Sequence, residues 1–151
     1  INKSITYSPI AVDDVTLRMT NPQIKTSITK GSLVLVHDGE KVKVERGVTT
    51  AQTGVKKIRT ARARQAMQTD LTRTASDNYI GKIDNNVDGQ KALISAIKAY
   101  LEQLAVSNVI TLESISVALD PNFASVGDSA YFAISVVEVD SMEEVYLTIY
   151  V

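Results

Sequence analysis

The 151-residue chain has no cysteine, no tryptophan and a single histidine. Without thiols, cysteine nucleophiles, iron-sulfur clusters, cysteine zinc sites and disulfides are all excluded. One histidine and an aromatic share of 5% leave little material for acid-base catalysis or for stacking nucleic-acid bases. No apolar run reaches the roughly eighteen residues of a membrane-spanning helix. Neither sign of charge is in excess, since 16 basic and 17 acidic residues give a net charge of −1. No global field therefore draws the chain to nucleic acid or to anionic lipid. A secretory leader pattern is missing, and the sequence opens at Ile1 rather than at methionine, which reads as an excised or internally started piece. Asn2-Lys3-Ser4 fits a glycosylation pattern but without a leader carries no meaning.

What is present suits one ordinary domain of about 100–200 residues, 44% hydrophobic and 22% charged. Such a chain hides about 68–70% of its unfolded surface and needs no metal to hold its core. Residues 1–20 read as an extended lead-in. Asn21 and Pro22 then start a short helix over 22–30, which Gly31 stops. Asp38-Gly39 between two β-prone runs predicts a hairpin with a type I′ turn. Its first arm, Ser32 to His37, is apolar enough to be covered on both faces; its second alternates Val42 and Val44 with Lys43 and Glu45. A Thr-rich loop, 47–55, follows as the one plausible hinge.

Ala63, Met67 and Leu71 recur at helical spacing and predict a helix over 56–76. A better amphipathic helix is predicted over 89–107, with Leu93, Ile97, Leu101 and Leu104 on one face. Three β-prone runs close the chain: 115–119, 129–139 and 145–151. The order predicts an α+β fold: a mixed or antiparallel sheet with two main helices packed on one face, plus a β-hairpin and a short N-terminal helix.

Asp84-Asn85-Asn86-Val87-Asp88-Gly89 matches the first half of a calcium-binding EF-hand loop and makes Asp84, Asn86 and Asp88 candidate ligands. Calcium also needs a bidentate acid at position twelve, and Ser95 stands there. The bland alternative is that Asp88 caps the helix beginning at Gly89. Gly47 to Lys56 is superficially like a phosphate loop, but its glycine spacing is wrong and the Gly-Lys-Ser/Thr ending is absent. His37, at the hairpin turn, reads as a solvated tip.

Lys56, Lys57, Arg59, Arg62 and Arg64 put five cations in nine residues. They form either a solvated face or a docking surface for an acidic partner. Nucleic acid fits less well, because no aromatic residue is interleaved. Val145, Leu147, Ile149 and Val151 alternate with Tyr146, Thr148 and Tyr150. A terminal run of that kind either pairs within its own sheet or is offered to another chain.

Three stretches, in order and spacing, resemble the C-terminal domain of contractile tail sheath proteins of myoviruses and related prophage and bacteriocin particles. They are Leu17 to Ile24 leading through Gly31–Leu35 and Asp38–Glu45 to Gly47–Thr50; Asp77 to Lys82 with Asn85 and the helix carrying Leu93, Ile97, Tyr100, Leu101 and Leu104; and Val139 to Val151. The sequence departs from the family at Asn108, where glycine is frequent, and at Gln90-Lys91, where arginine is common. It also departs in length, since sheath proteins run to several hundred residues.

The resemblance implies a structural protein without catalytic activity or cofactor, working in a phage tail or tail-like particle assembled in the bacterial cytoplasm. The implied partners are neighbouring sheath subunits, linked by strand exchange through 145–151, and the tail tube, with the baseplate and tail terminator as further candidates. Nucleic acid and membrane are not among them. The same resemblance offers Lys56, Lys57, Arg59, Arg62 and Arg64 as tube-facing. The alternative reading is a small metal- or anion-binding adaptor using residues 84–89 or the basic helix.

Overall fold

The computed structural model describes residues 18–51 and 53–150. The expectations for residues 1–17, including the sequon, and for Gln52 and Val151 lie outside the described residues. Among those described, residues 18–62 with 142–150 form one unit and Ala63–Ser141 the other. The expected α+β class holds, with three helices and two antiparallel two-stranded sheets. Among the described residues, the hairpin strands make one sheet and the strands after the long helices make the other.

In the first unit, α1 spans Asn21–Thr29. Its N-cap is Thr20 rather than the expected Asn21, and Pro22 sits in the first turn. The Thr20 N–H donates to Gln23 Oε1 at 2.8 Å, satisfying a donor that the helix start leaves over. The helix ends as its sequence predicts. Gly31 adopts φ +81°, its N–H donates to Ile28 O and the Ser32 N–H to Ser27 O, a Schellman closure. Gly31 is also packed tightly, since a Cβ there would lie 2.7 Å from Thr49 O.

Strands β1 (Leu35–His37) and β2 (Val42–Val44) pair antiparallel with Leu35 opposite Val44 and His37 opposite Val42. The turn is centred one residue later than Asp38-Gly39. The Asp38 N–H donates to Lys41 O, and the Asp38 carboxylate accepts from the N–H groups of Glu40 and Lys41. Asp38 thus braces the turn instead of forming its tip, and His37 accepts the Gly39 N–H on Nδ1 at 2.9 Å. Those bonds and the Lys43 ammonium hold the Asp38 carboxyl well below the usual carboxylate range. Val34 and Val42 are buried, whereas Leu33 is exposed, so the first arm is not covered on both faces as expected. The loop after β2 is tied at its base by a bridge between Val48 and Lys57, and the Thr49 hydroxyl donates to Val55 O.

Helix α2, Ile58–Asn78, contributes Met67 and Leu71 to the core of the second unit. Helix α3, Val87–Val106, contributes Ile97 and Leu101, the latter with no exposed surface. The Tyr100 hydroxyl donates to Asp70 Oδ2 at 2.7 Å and links α3 to α2. Partial burial, the Asp70 hydrogen bond and its charge push the Tyr100 hydroxyl up to about 12. α3 closes with Asn108 at φ 54°, the Val109 N–H reaching Leu104 O and the Asn108 N–H reaching Ala105 O. Asparagine tolerates that left-handed position in place of glycine.

After a 3-10 turn at Leu112–Ser114, β3 (Ser116–Leu119) pairs antiparallel with β4 (Phe132–Ser135). Pairing resumes beyond the turn through a bridge between Ile110 and Glu138, with the Val139 N–H donating to Val109 O. Ile115, Val117 and Val136 pack on the Met67–Ile97–Leu101–Ile110 core. The long expected strand 129–139 shrinks to four residues. Its start is a turn held by Asn85, whose side-chain amide donates to Gly127 O at 3.0 Å and Ser129 O at 2.9 Å.

Candidate assembly surface

Residues 142–150 join the first unit, yet none of the described residues of 145–150 lies in a helix or strand. Leu147 is 84% exposed and Ile149 85% exposed, with Val145, Tyr146 and Tyr150 exposed too. Water faces both sides of the alternation, so the segment makes no core of its own. Alternating apolar residues make a segment β-competent, but a strand needs a partner edge, and among the described residues none pairs with this one.

The base of that segment is held. Glu143 has a side chain only 7% exposed and lies 3.1 Å from Lys57 Nζ and 3.9 Å from Arg46 Nε. The Arg46 guanidinium also pairs with Glu144, which accepts the Tyr146 hydroxyl at 3.0 Å. Two cations around a nearly buried carboxylate offset the cost of removing it from water.

The basic run therefore divides. Lys57 pairs with Glu143, and Arg64 pairs with Glu138 in a two-point contact whose second bond, Nη2 to Oε2, is 3.3 Å. That contact holds the Glu138 carboxyl below its usual value and raises the Arg64 guanidinium. Lys56, Arg59, Arg62 and Arg64 are exposed, and Lys57 is partly buried. Sequence reasoning missed the acidic partners. The available signal was Glu138, Asp140, Glu143 and Glu144, four acids in seven residues to match five cations in nine.

The loop 84–89 owes its pattern to the start of α3. Asn86, not Asp88, is the N-cap, with Oδ1 accepting from Asp88 N at 3.1 Å and Gly89 N at 2.9 Å. Asp88 sits in the first turn, where its charge complements the helix dipole. Gly89 is required by space, since a Cβ would lie 2.1 Å from Asp84 O. Among the described residues, no three His, Cys, Asp or Glu side chains gather as a metal site. An open groove of about 520 Å³ beside this loop is lined by Tyr79, Ile80, Ile83, Leu93 and Tyr131 among others. The Asn85 amide on its wall is spent on loop carbonyls and accepts from Gln90 at 2.8 Å. Among the described residues, no helix is long and apolar enough to cross a membrane.

Among the described residues, the α+β fold leaves the apolar alternation at 145–150 exposed, the kind of surface that pairs with another chain in assembly proteins. Residues 50–151 match the family described as phage tail sheath C-terminal domain, and the chain belongs to that family. It is 22% identical, over 97% of its length, to the tail sheath protein of Clostridium phage phiCD119 and covers 49% of that protein. Two solved structures share the fold at 18% identity. One is a chain of the anti-feeding prophage baseplate, with TM-score 0.73 over 87% of this chain and 39% of that one. The other is the sheath tail protein of Desulfitobacterium hafniense, with TM-score 0.58 over 80% and 33%. The chain spans about half the length of the curated relative it matches.

Proposed function

We propose that the chain is the C-terminal domain of a contractile tail sheath subunit that polymerises into a helical sheath around a tail tube, in a phage tail or tail-like particle. Residues 145–151 act as the added strand, pairing with a sheet edge of a neighbouring subunit. The observation that carries this reading is the exposed alternation Val145, Leu147, Ile149, which among the described residues lies in no strand. Strand addition suits a sheath that changes shape, because a main-chain ladder holds subunits while side-chain alternation fixes register. The domain works by packing and pairing and has no catalytic step. Deleting 145–151 from the full-length protein should abolish polymerisation seen by electron microscopy. Normal tubes from the truncated protein would dismiss strand exchange.

The tail tube is the second partner, met by the basic run Lys56, Lys57, Arg59, Arg62 and Arg64, of which all but Lys57 are exposed. Exposed ion pairs, worth about 0–1 kcal/mol each, suit an attachment that must release. Arg59→Glu with Arg62→Glu should weaken co-sedimentation with tubes, whereas unchanged association assigns the face to solvent.

A further inference from the structure

The apolar segment 145–150 departs from a point that is itself closely held. Immediately before it, Glu143 is nearly removed from water, and the two cations beside it come from separate places in the chain: Arg46 just after β2, and Lys57 just before α2. Arg46 also engages Glu144, so two consecutive carboxylates are gripped, whereas the apolar side chains that follow, Val145, Leu147 and Ile149, are exposed. Val48 and Lys57 are bridged, and the Ile58 N–H donates to Gly47 O at 2.9 Å, which ties the two cation-bearing stretches to one another. A carboxylate that lost both cations would stay nearly buried with less compensation, which favours a swing into water with the segment attached.

We infer that Arg46 and Lys57 are positioning residues that clamp Glu143 and Glu144, fixing where the 145–150 strand leaves its subunit and therefore which neighbouring edge it can reach. The partner is a second copy of the sheath subunit, and to that extent the inference rests on the strand-exchange reading. A fixed root restricts the end-to-end freedom of a short tether, which raises the effective concentration of the strand at one edge. Charge, rather than apolar packing, supplies the grip.

The test uses the unassembled full-length subunit and glutamyl endopeptidase, with mass spectrometry locating cuts after Glu143 and Glu144. Proteolysis reports the population of the open form. Arg46→Gln with Lys57→Gln should raise the cutting rate at these two sites by about tenfold, while Arg46→Lys with Lys57→Arg, which keeps both charges, should stay close to the parent. Equal cutting of parent and neutral variant overturns the clamp. So does equal cutting of the neutral and charge-preserving variants, which would make the contact one of shape. Polymerisation of the 145–151 deletion is followed in parallel. If the deletion polymerises normally, strand exchange falls while the cutting rates still report on the clamp.

Discussion

Leu147 separates assembly from folding, because 84% of it is exposed in its own subunit. Trimming an exposed side chain leaves folding stability within about 0.5 kcal/mol. On a neighbour's sheet edge the same leucine becomes buried, and full burial of a leucine is worth about 1.5–3 kcal/mol. Alanine keeps only the first carbon, so Leu147→Ala should weaken each subunit junction by about 2 kcal/mol. Since about 1.4 kcal/mol is tenfold in an equilibrium constant, the critical concentration for polymerisation should rise by about 30-fold. Sedimentation of the full-length protein across a concentration series gives that value, and thermal melting of the unassembled subunit gives the folding control. Two outcomes would refute the reasoning. An unchanged critical concentration removes Leu147 from the junction, and a melting temperature lowered by several degrees places it in its own core.

Gly31→Ala should destabilise the first unit by about 2–4 kcal/mol in a denaturant titration, since the left-handed conformation and a methyl 2.7 Å from Thr49 O both oppose it; a neutral result means the Thr49 carbonyl yields freely. Asn86→Ala should cost about 0.5–2 kcal/mol through the lost cap. Calorimetric titration of the parent with calcium should show no binding, and micromolar binding that disappears in Asp84→Ala would overturn the capping account of this loop. Glu138, with its carboxyl lowered by Arg64, contributes stability above its ordinary value of 4.5 that is lost as pH falls through the lower folded value. Glu138→Gln should flatten the acid side of the stability profile and leave neutral pH dependence alone. Tyr100 has the opposite sign: its contribution is complete below 10.0 and lost as pH rises towards about 12, so Tyr100→Phe should remove that alkaline slope.

Helix α3 was readable because four apolar residues at helical spacing outweigh any single position, and Asn108, standing where the family often has glycine, takes the left-handed position that such a glycine would. Its first residue was not. Asn86 and Asp88 both have cap chemistry, and Gly89, which looked like a boundary, lies inside the helix for want of space beside Asp84. The hairpin turn slipped by one because the Asp38 carboxylate takes two backbone donors, a local bond that the Asp-Gly signal does not specify. The last segment was legible only in part: alternation reports that 145–150 can pair, not which edge they pair with, and none of these residues lies in a strand here.

The charges show the same limit at longer range and change what the basic helix can do. Arg64 finds Glu138 across 74 residues of sequence, which no local pattern encodes. At about 100° per residue, Arg64 lies about 140° from Arg59 and about 160° from Arg62 around α2, so the cation spent on its own chain and these two point to different sides. Lys57, ahead of the helix, is likewise spent on Glu143. Lys57 and Arg64 each hold an acid of their own chain, so an outside acidic partner would have to share or displace those pairs, which lowers what a contact through the basic run gains. On the sheath reading that suits an attachment that must release, while the Lys57 pair holds Glu143 just ahead of 145–150.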